Sequence, residues 1–170
     1  MILTNLTTVF SKVQYVLSII LLFVTVYNFT WNHLIFYPLI LEPKTSKHCS
    51  ETYFVNNMGG YVWKPIHPVT IGENVLFYFN DTTGNCSTRF VVVRDIHRHY
   101  FPDYTVIQLE YPGFGISTHL PLHLENIIDE CTFVLTNLSK QYNMKKCAFW
   151  GEGMGHYIMS RVIEKTPLFP

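Results

Sequence analysis

The sequence lacks an excess of either charge and any run of like charges. Its 12 lysine and arginine residues balance 12 aspartate and glutamate residues over 170 positions. We find no basic stripe of the kind that binds nucleic acid, and no repeat or low-complexity tract. We therefore expect no nucleic-acid partner. The composition, 48% hydrophobic and 16% aromatic, fits one globular domain with room for a membrane segment.

Charge is also missing from a long interval near the N-terminus. No charged residue lies between Lys12 and Glu42, and the interval from Lys12 to about Trp31 reaches the roughly 20 apolar positions with which a helix crosses a bilayer. A cleaved signal peptide and a buried core helix are the alternatives. The apolar run is long for a signal peptide, and no small-residue cleavage pattern follows it. We predict a tail (1–12), a transmembrane helix (13–32), a linker (33–59) and a folded domain (60–170).

The few lysines that flank the apolar interval do not decide the orientation in the membrane. Glycosylation sequons begin at Asn80, Asn85 and Asn137, all beyond the predicted helix. They permit a lumenal domain without proving one. We expect a single-pass protein of the endoplasmic reticulum or another endomembrane, with the lipid bilayer as a partner and the lumenal side favoured for the domain.

Spacings typical of metal ligands are absent from the four cysteines, Cys49, Cys86, Cys131 and Cys147. Cys131 falls on the apolar face of a predicted helix and Cys147 in a predicted strand, so both are interpreted as buried thiols. Cys49 and Cys86 are the one pair considered for a disulfide. We predict neither a metal nor a cofactor.

Beyond the linker, apolar runs of strand length alternate with segments of helical periodicity. Alternation of this kind indicates an α/β domain with a mostly parallel sheet. The predicted strands are 60–64, 75–79, 104–109 and 146–150. The predicted helices begin near positions 88, 124 and 154.

Three glycine-containing motifs follow three of these strands. F-Y-F-N-D-T-T-G-N (77–85) resembles the Y-F-H-G-N-A-G-N loop of the α/β-hydrolase superfamily. E-Y-P-G-F-G-I-S (110–117) is similar to its D-Y-R-G-Y-G-x-S loop, and W-G-E-G-M-G (150–155) to its W-G-H-S-L-G nucleophile elbow. The resemblance covers about residues 60–168. It implies the N-terminal half of an α/β-hydrolase fold behind a transmembrane helix, most similar to membrane-anchored lysophospholipid and monoacylglycerol lipases of the lysophosphatidylserine-lipase type.

The resemblance places Gly153 where the family has its attacking serine. Gly151 and Gly155 match the flanking glycines of the elbow, whereas Gly153 has no side chain with which to attack. Glu152, before the nucleophile position, is expected to point away from the line of attack. Ser117 and Ser160 are interpreted as structural residues, and His156 as a histidine on the surface of the last helix.

The oxyanion side of the motif is altered as well. The family binds the developing negative charge with backbone N–H groups from the loop after the third strand and from the residue after the nucleophile. Asn80 and Asp81 stand at the family's His-Gly pair, so Asp81 is expected to place a carboxylate where an oxyanion forms. Met154 could still supply its amide.

The family's catalytic acid and histidine follow later strands, and nothing after the elbow in this sequence matches either role. The strand before the elbow is then expected to form an exposed apolar edge, which favours pairing with another chain. The leading hypothesis is a catalytically inactive homologue that binds a lipid or a protein covering that edge. The alternatives are a fragment or divergent member of an active lipid acyl-ester hydrolase, and a protein in which only the apolar segment has a function.

Overall fold

A computed structural model describes residues 2–36, 51–67, 69, 71, 73–117, 122–142 and 145–166. The chain divides into two compact units, Met1–Ile35 and Phe36–Pro170. Residues 37–50, and with them Cys49, lie outside the described residues, so the Cys49–Cys86 pairing stays a prediction.

The first unit is a single helix, α1, which spans Ile2–Ile35. Its segment Lys12–Trp31 has a mean hydropathy of 1.7 and no buried residue, so by length and composition it can cross a membrane. The hydroxyls of Ser18, Thr25 and Thr30 each donate to the backbone carbonyl four residues earlier, at 2.7–2.9 Å. Bonds of this kind would satisfy the three hydroxyls in a bilayer, where water cannot reach them.

The second unit contains five strands and three α-helices among its described residues. The strands are β1 (Glu51–Val55), β2 (Met58–Trp63), β3 (Asn74–Phe79), β4 (Thr105–Leu109) and β5 (Lys146–Gly151). The helices are α2 (Phe90–Tyr100), α3 (Leu124–Gln141) and α4 (Met154–Lys165), and a short 3-10 turn, Cys86–Arg89, precedes α2.

The five strands form one sheet in the order β1-β2-β4-β3-β5. β3 lies between β4 and β5 and pairs in parallel with both. β1 and β2 are antiparallel to each other, and β2 is antiparallel to β4. The sheet is therefore mixed, and only β2 runs against the direction of the other four strands. Its parallel part is formed by the three strands that precede the glycine motifs.

The hairpin of β1 and β2 occupies part of the interval that was expected to be linker. Asn56 and Asn57 connect the two strands, and Asn56 has a φ of 53°, a value that asparagine tolerates better than most residues. The side-chain amides of both asparagines donate to the Glu130 carboxylate of α3 at 2.9–3.1 Å. This contact fixes the hairpin turn on the helix.

The core lies on both faces of the sheet. On one face, α2 packs its buried residues against the side chains of Tyr61, Trp63, Leu76, Tyr78 and Val106. On the other face, α3 and α4 pack on each other and on the sheet, with six of the α3 side chains buried. Side chains at Val75 to Phe79 are almost wholly inaccessible, as expected of a strand covered on both faces. This arrangement brings the carboxyl ends of β3, β4 and β5 to one edge, where the three motif loops meet.

Candidate functional site

A sharp strand-to-helix turn joins β5 to α4. β5 ends at Gly151, α4 begins at Met154, and Gly153 between them has φ 53° and ψ −124°. The Gly155 N–H donates to the Glu152 carbonyl at 2.8 Å, and the His156 N–H donates to the Gly153 carbonyl at 3.1 Å. A side chain at such a φ is strained. The turn therefore has the backbone of a nucleophile elbow, in which the family tolerates this strain at its serine.

The two flanking glycines are required by close contacts of the turn. A Cβ atom on Gly151 would lie 2.7 Å from the His156 nitrogen, and a Cβ on Gly155 would collide with the backbone carbonyl oxygens of Phe79 and Asn80. The Glu152 N–H also donates to the Phe79 carbonyl at 3.0 Å. Glycine at 155 thus lets the start of α4 touch the end of β3 through backbone, and glycine at 151 lets the end of β5 approach the backbone of His156.

The Asp81 carboxylate fills the space beside Gly153. A Cβ atom on Gly153 would lie 2.6 Å from Asp81 Oδ1 and 2.8 Å from its Cγ. The first atom of a nucleophilic side chain would stand at this position. Gly153 therefore lacks an attacking group, and the room for one is occupied by an acid from the loop after β3.

Backbone amides hold that carboxylate in place. Asp81 Oδ1 accepts hydrogen bonds from the Thr82 N–H at 2.8 Å and from the Met154 N–H at 3.1 Å. Its Oδ2 accepts from the Thr83 hydroxyl at 2.9 Å. One of the two amides comes from the loop after β3 and the other follows the nucleophile position, which is the donor arrangement of an oxyanion hole. The protein's own carboxylate is the anion bound there.

Glu152 belongs to a second polar group beside the turn. Its Oε2 accepts a hydrogen bond from the Tyr78 hydroxyl at 2.8 Å and lies 3.3 Å from the Arg89 Nε. Arg89 also reaches the Thr83 hydroxyl at 3.4 Å. Burial, and then the Glu152 hydrogen bond and charge, raise the pKa of Tyr78. Glu152 is thus engaged on the β3 side of the turn, as a hydrogen-bonding and ion-pairing residue.

Asn80 is a buried structural residue at the end of β3. Its amide nitrogen donates to the Leu109 carbonyl at 2.6 Å, and its side-chain oxygen accepts from the Gln108 amide at 2.9 Å. The Tyr111 hydroxyl donates to its backbone carbonyl at 2.7 Å. These bonds tie the β3 loop to the β4 loop and fix the residue before Asp81.

The asparagines of the three glycosylation sequons differ in their solvent exposure. Asn80 is 3% exposed and Asn85 is 2% exposed, and the Asn85 side chain accepts from the Thr88 N–H and the Ser87 hydroxyl. Neither amide nitrogen is accessible to a glycosyltransferase in this fold. Asn137 lies on α3, half-exposed, with its amide nitrogen bonded to the Phe133 carbonyl at 2.8 Å. Glycosylation stays a prediction at Asn137.

The loop after β4 carries a buried acid that its sequence motif did not predict as such. Glu110 is 1% exposed, its Oε1 accepts from the Cys86 N–H at 2.9 Å, and its Oε2 has no hydrogen-bond partner among the described residues. Burial raises the pKa of Glu110 to about 7. Gly115, with a φ of 46°, lies so close to the carboxyl group that a Cβ there would collide with Oε2.

Ser117 and Ser160 occupy structural positions. The Ser117 hydroxyl donates to the Glu110 carbonyl at 2.6 Å and accepts from the Gly59 N–H at 2.9 Å, so it connects the β4 loop to β2. The Ser160 hydroxyl donates to the His156 carbonyl within α4, and His156 is exposed on that helix. Within the described residues, neither serine hydroxyl is hydrogen-bonded to a histidine side chain.

Of the two cysteines predicted to be buried thiols, Cys131 is buried and Cys147 is only partly buried. Both are free thiols, Cys131 on α3 and Cys147 on β5. Burial raises the pKa of both thiols, that of Cys147 to about 11. Both are therefore protonated at neutral pH and are poor nucleophiles.

Two solved structures share this fold. The carboxyl esterase 2 of the mycorrhizal fungus Tuber melanosporum is similar with a TM-score of 0.53 and 19% identity, over 80% of this chain and 49% of the esterase. BioJ, a virulence factor of Francisella, gives a TM-score of 0.52 and 15% identity, over 75% of this chain and 42% of BioJ. No family model and no curated protein matches the sequence. The chain has the α/β-hydrolase fold, and it spans less than half the length of each of these two structures.

Proposed function

We propose that the chain is a membrane-anchored α/β-hydrolase homologue that binds lipid without cleaving its esters. The class of lipid follows from the resemblance to lysophospholipid and monoacylglycerol lipases. The observation that carries the proposal is the Asp81 carboxylate, which is seated beside Gly153 and bound by the Met154 amide. The carboxylate occupies the position of the attacking group, and it also binds the amide that would bind the oxyanion.

The electrostatic cost of this arrangement to ester cleavage is large. A tetrahedral intermediate would place a negative charge within a few ångströms of the Asp81 carboxylate. Two like charges 4 Å apart repel by about 4 kcal/mol at an effective dielectric of 20, which slows a reaction roughly a thousandfold. The amides of Thr82 and Met154, which would otherwise stabilise the intermediate, already bind Asp81.

The test adds a fluorescent lysophospholipid to the full chain in detergent micelles. Binding of the lipid and release of fatty acid are measured in the same sample. We expect saturable binding of the lipid with no release of fatty acid. The matched control is Ser160→Ala, which removes a serine hydroxyl that bonds within α4 and should leave both readouts unchanged. Release of fatty acid by the wild-type chain would contradict the absence of ester cleavage. A lack of binding would contradict the proposal that the chain binds lipid.

The second candidate function is that of a divergent or partial member of a family of active lipid acyl-ester hydrolases. The retained elbow backbone favours it, because a turn with φ 53° at Gly153 presents a side chain in the way that catalysis requires. A longer chain could supply the acid and the histidine. Even so, a serine at 153 would meet Asp81, so this reading predicts activity only after both Gly153→Ser and Asp81→Gly are introduced into the longer chain.

The membrane and partner proposals rest on two further features. Helix α1 has the length and composition of a single membrane span, and retention of the chain in membranes after alkaline carbonate extraction would support an anchor. A glycan at Asn137 would place the domain in the lumen. β5 forms one edge of the described sheet, with Trp150 36% exposed on it. We propose that a strand of another protein or segment covers this edge.

A further inference from the structure

A small cavity opens at the other end of the sheet, away from the elbow. Its volume is about 110 Å³, and it is lined by Trp63, Lys64, Ile66, Arg94, His97 and Arg98. Trp63 pairs with Val106 near the start of β4, whereas Asp81 and Gly153 follow the ends of β3 and β5. The cavity is therefore separate from the candidate site described above.

Three cations and no acid line this cavity. Lys64, Arg94 and Arg98 supply the three positive charges. Burial lowers the pKa of the remaining titratable group, His97, whose Nε2–H donates to the Tyr104 carbonyl at 3.0 Å. His97 is therefore neutral, and the lining carries an excess of positive charge.

The two carboxylates that pair with these residues do not balance the three cations. Asp95 pairs with Arg94 at 2.9 Å, and Glu51 pairs with Lys64 at 2.7 Å. Both pairs are partly exposed, and exposed pairs of this kind are weak enough to rearrange around a ligand. Arg98 has no hydrogen bond or ion pair among the described residues.

Arg94 and Arg98 lie one turn apart on α2 beside the same cavity. Like charges four residues apart repel each other, and the Asp95 carboxylate, which interacts with both arginines, offsets only part of this repulsion. A bound anion would relieve the remainder. The indole Nε1 of Trp63 is fully buried, so Trp63 forms part of the cavity wall and its nitrogen does not bind the anion itself.

We propose that this cavity binds a phosphate group, either as inorganic phosphate or as the phosphomonoester headgroup of a lipid. The planar guanidinium groups of Arg94 and Arg98 suit the oxygens of phosphate, and Lys64 adds a third charge. The volume holds one such group, so the remainder of a larger ligand would lie outside the cavity. This site is independent of the elbow and of whether the elbow binds lipid.

The test uses the tryptophan indole resonances of the full chain in detergent micelles. The chain has three tryptophans, so indole N–H spectra after 15N labelling are simple, and Trp63→Phe identifies the relevant signal. We expect inorganic phosphate to move the Trp63 signal saturably, with half-saturation near or below about 1 mM. Chloride at the same ionic strength should not move it.

Variants separate this site from general binding to basic residues. Arg94→Gln and Arg98→Gln should each weaken phosphate binding by about tenfold or more, because each removes charge-assisted hydrogen bonds. Lys140→Gln removes one exposed positive charge on α3 and should leave binding unchanged. Thermal unfolding of each variant checks that the fold is retained, and the two single variants provide independent readouts if one of them is unstable.

The source of the phosphate is distinguished by the membrane in which the chain is placed. Nanodiscs of phosphatidylcholine with phosphatidic acid, compared with phosphatidylcholine alone, should move the Trp63 signal if the ligand is a lipid headgroup. Movement with inorganic phosphate alone would assign a small soluble phosphate. A Trp63 signal that responds to neither, that responds equally to chloride, or that responds unchanged in the arginine variants would overturn the proposal.

Discussion

The turn between β5 and α4 and the loop after β3 match the α/β-hydrolase motifs to different extents. The turn has both flanking glycines and a strained φ of 53° at Gly153. The loop has Asn80-Asp81 at the position of the motif's His-Gly pair, and the Asp81 carboxylate faces Gly153. Close backbone contacts exclude a Cβ at 151 and at 155. The side chains that would perform chemistry are under no such backbone constraint.

The largest expected effect lies in the turn. Gly155→Ala would drive a Cβ into the carbonyl oxygens of Phe79 and Asn80, which are backbone atoms of β3 and of the loop that follows it. We expect the free energy of unfolding to fall by about 3 kcal/mol, measured by urea denaturation of the full chain. Ser160→Ala, in the same helix, is the control and should cost well under half as much. An unchanged midpoint for Gly155→Ala would contradict the packing described here.

A second effect of similar size depends on pH and belongs to the loop after β4. Burial raises the pKa of Glu110 to about 7 from an ordinary value of 4.5, so between these values the folded state binds more protons than the unfolded state. Stability therefore falls as pH rises through this window and stays low above it, by about 3 kcal/mol in total.

Denaturation at pH 5 and pH 8 measures this loss. Glu110→Gln mimics the protonated acid and should remove most of the difference between the two pH values. Buried His97, whose pKa is lowered, works in the opposite direction at the acid end and is common to both proteins. A pH slope that is the same in the wild type and in Glu110→Gln would contradict a buried neutral carboxyl group.

The smallest expected effect tests the contact between the two compared regions. Gly153→Ala should cost about 2 kcal/mol, from strain at positive φ and from collision with Asp81. In an Asp81→Gly background only the strain remains, so the cost should fall by roughly 1 kcal/mol. A double-mutant cycle on unfolding free energies gives this coupling directly. Additive effects would mean that Asp81 does not occupy the space beside residue 153.

Local patterns predicted the parallel part of the sheet and the elbow. Buried strands are visible in the sequence as apolar runs, and these turns as glycines at a fixed spacing. β1 was missed, since its five residues are at most partly buried and its pairing depends on β2. The placement of a carboxylate near the oxyanion position also followed from the motif. The contacts of Glu152 with Tyr78 and Arg89 could not be predicted from the motif, because those residues meet only after β3 and β5 pair. The burial of Asn80 and Asn85 was equally invisible, since a sequon carries no information about the loop in which it folds.

The central proposal is that the chain has no activated serine; the structure shows none among the residues that it describes, and a fluorophosphonate probe tests the proposal most directly. The full chain in detergent micelles is incubated with the probe, beside an active serine esterase as a positive control, and the modified peptides are mapped by mass spectrometry. We expect the esterase to be labelled and no peptide of this chain to be labelled. Stoichiometric labelling of any serine, with Ser117 and Ser160 the first to inspect, would contradict the proposal.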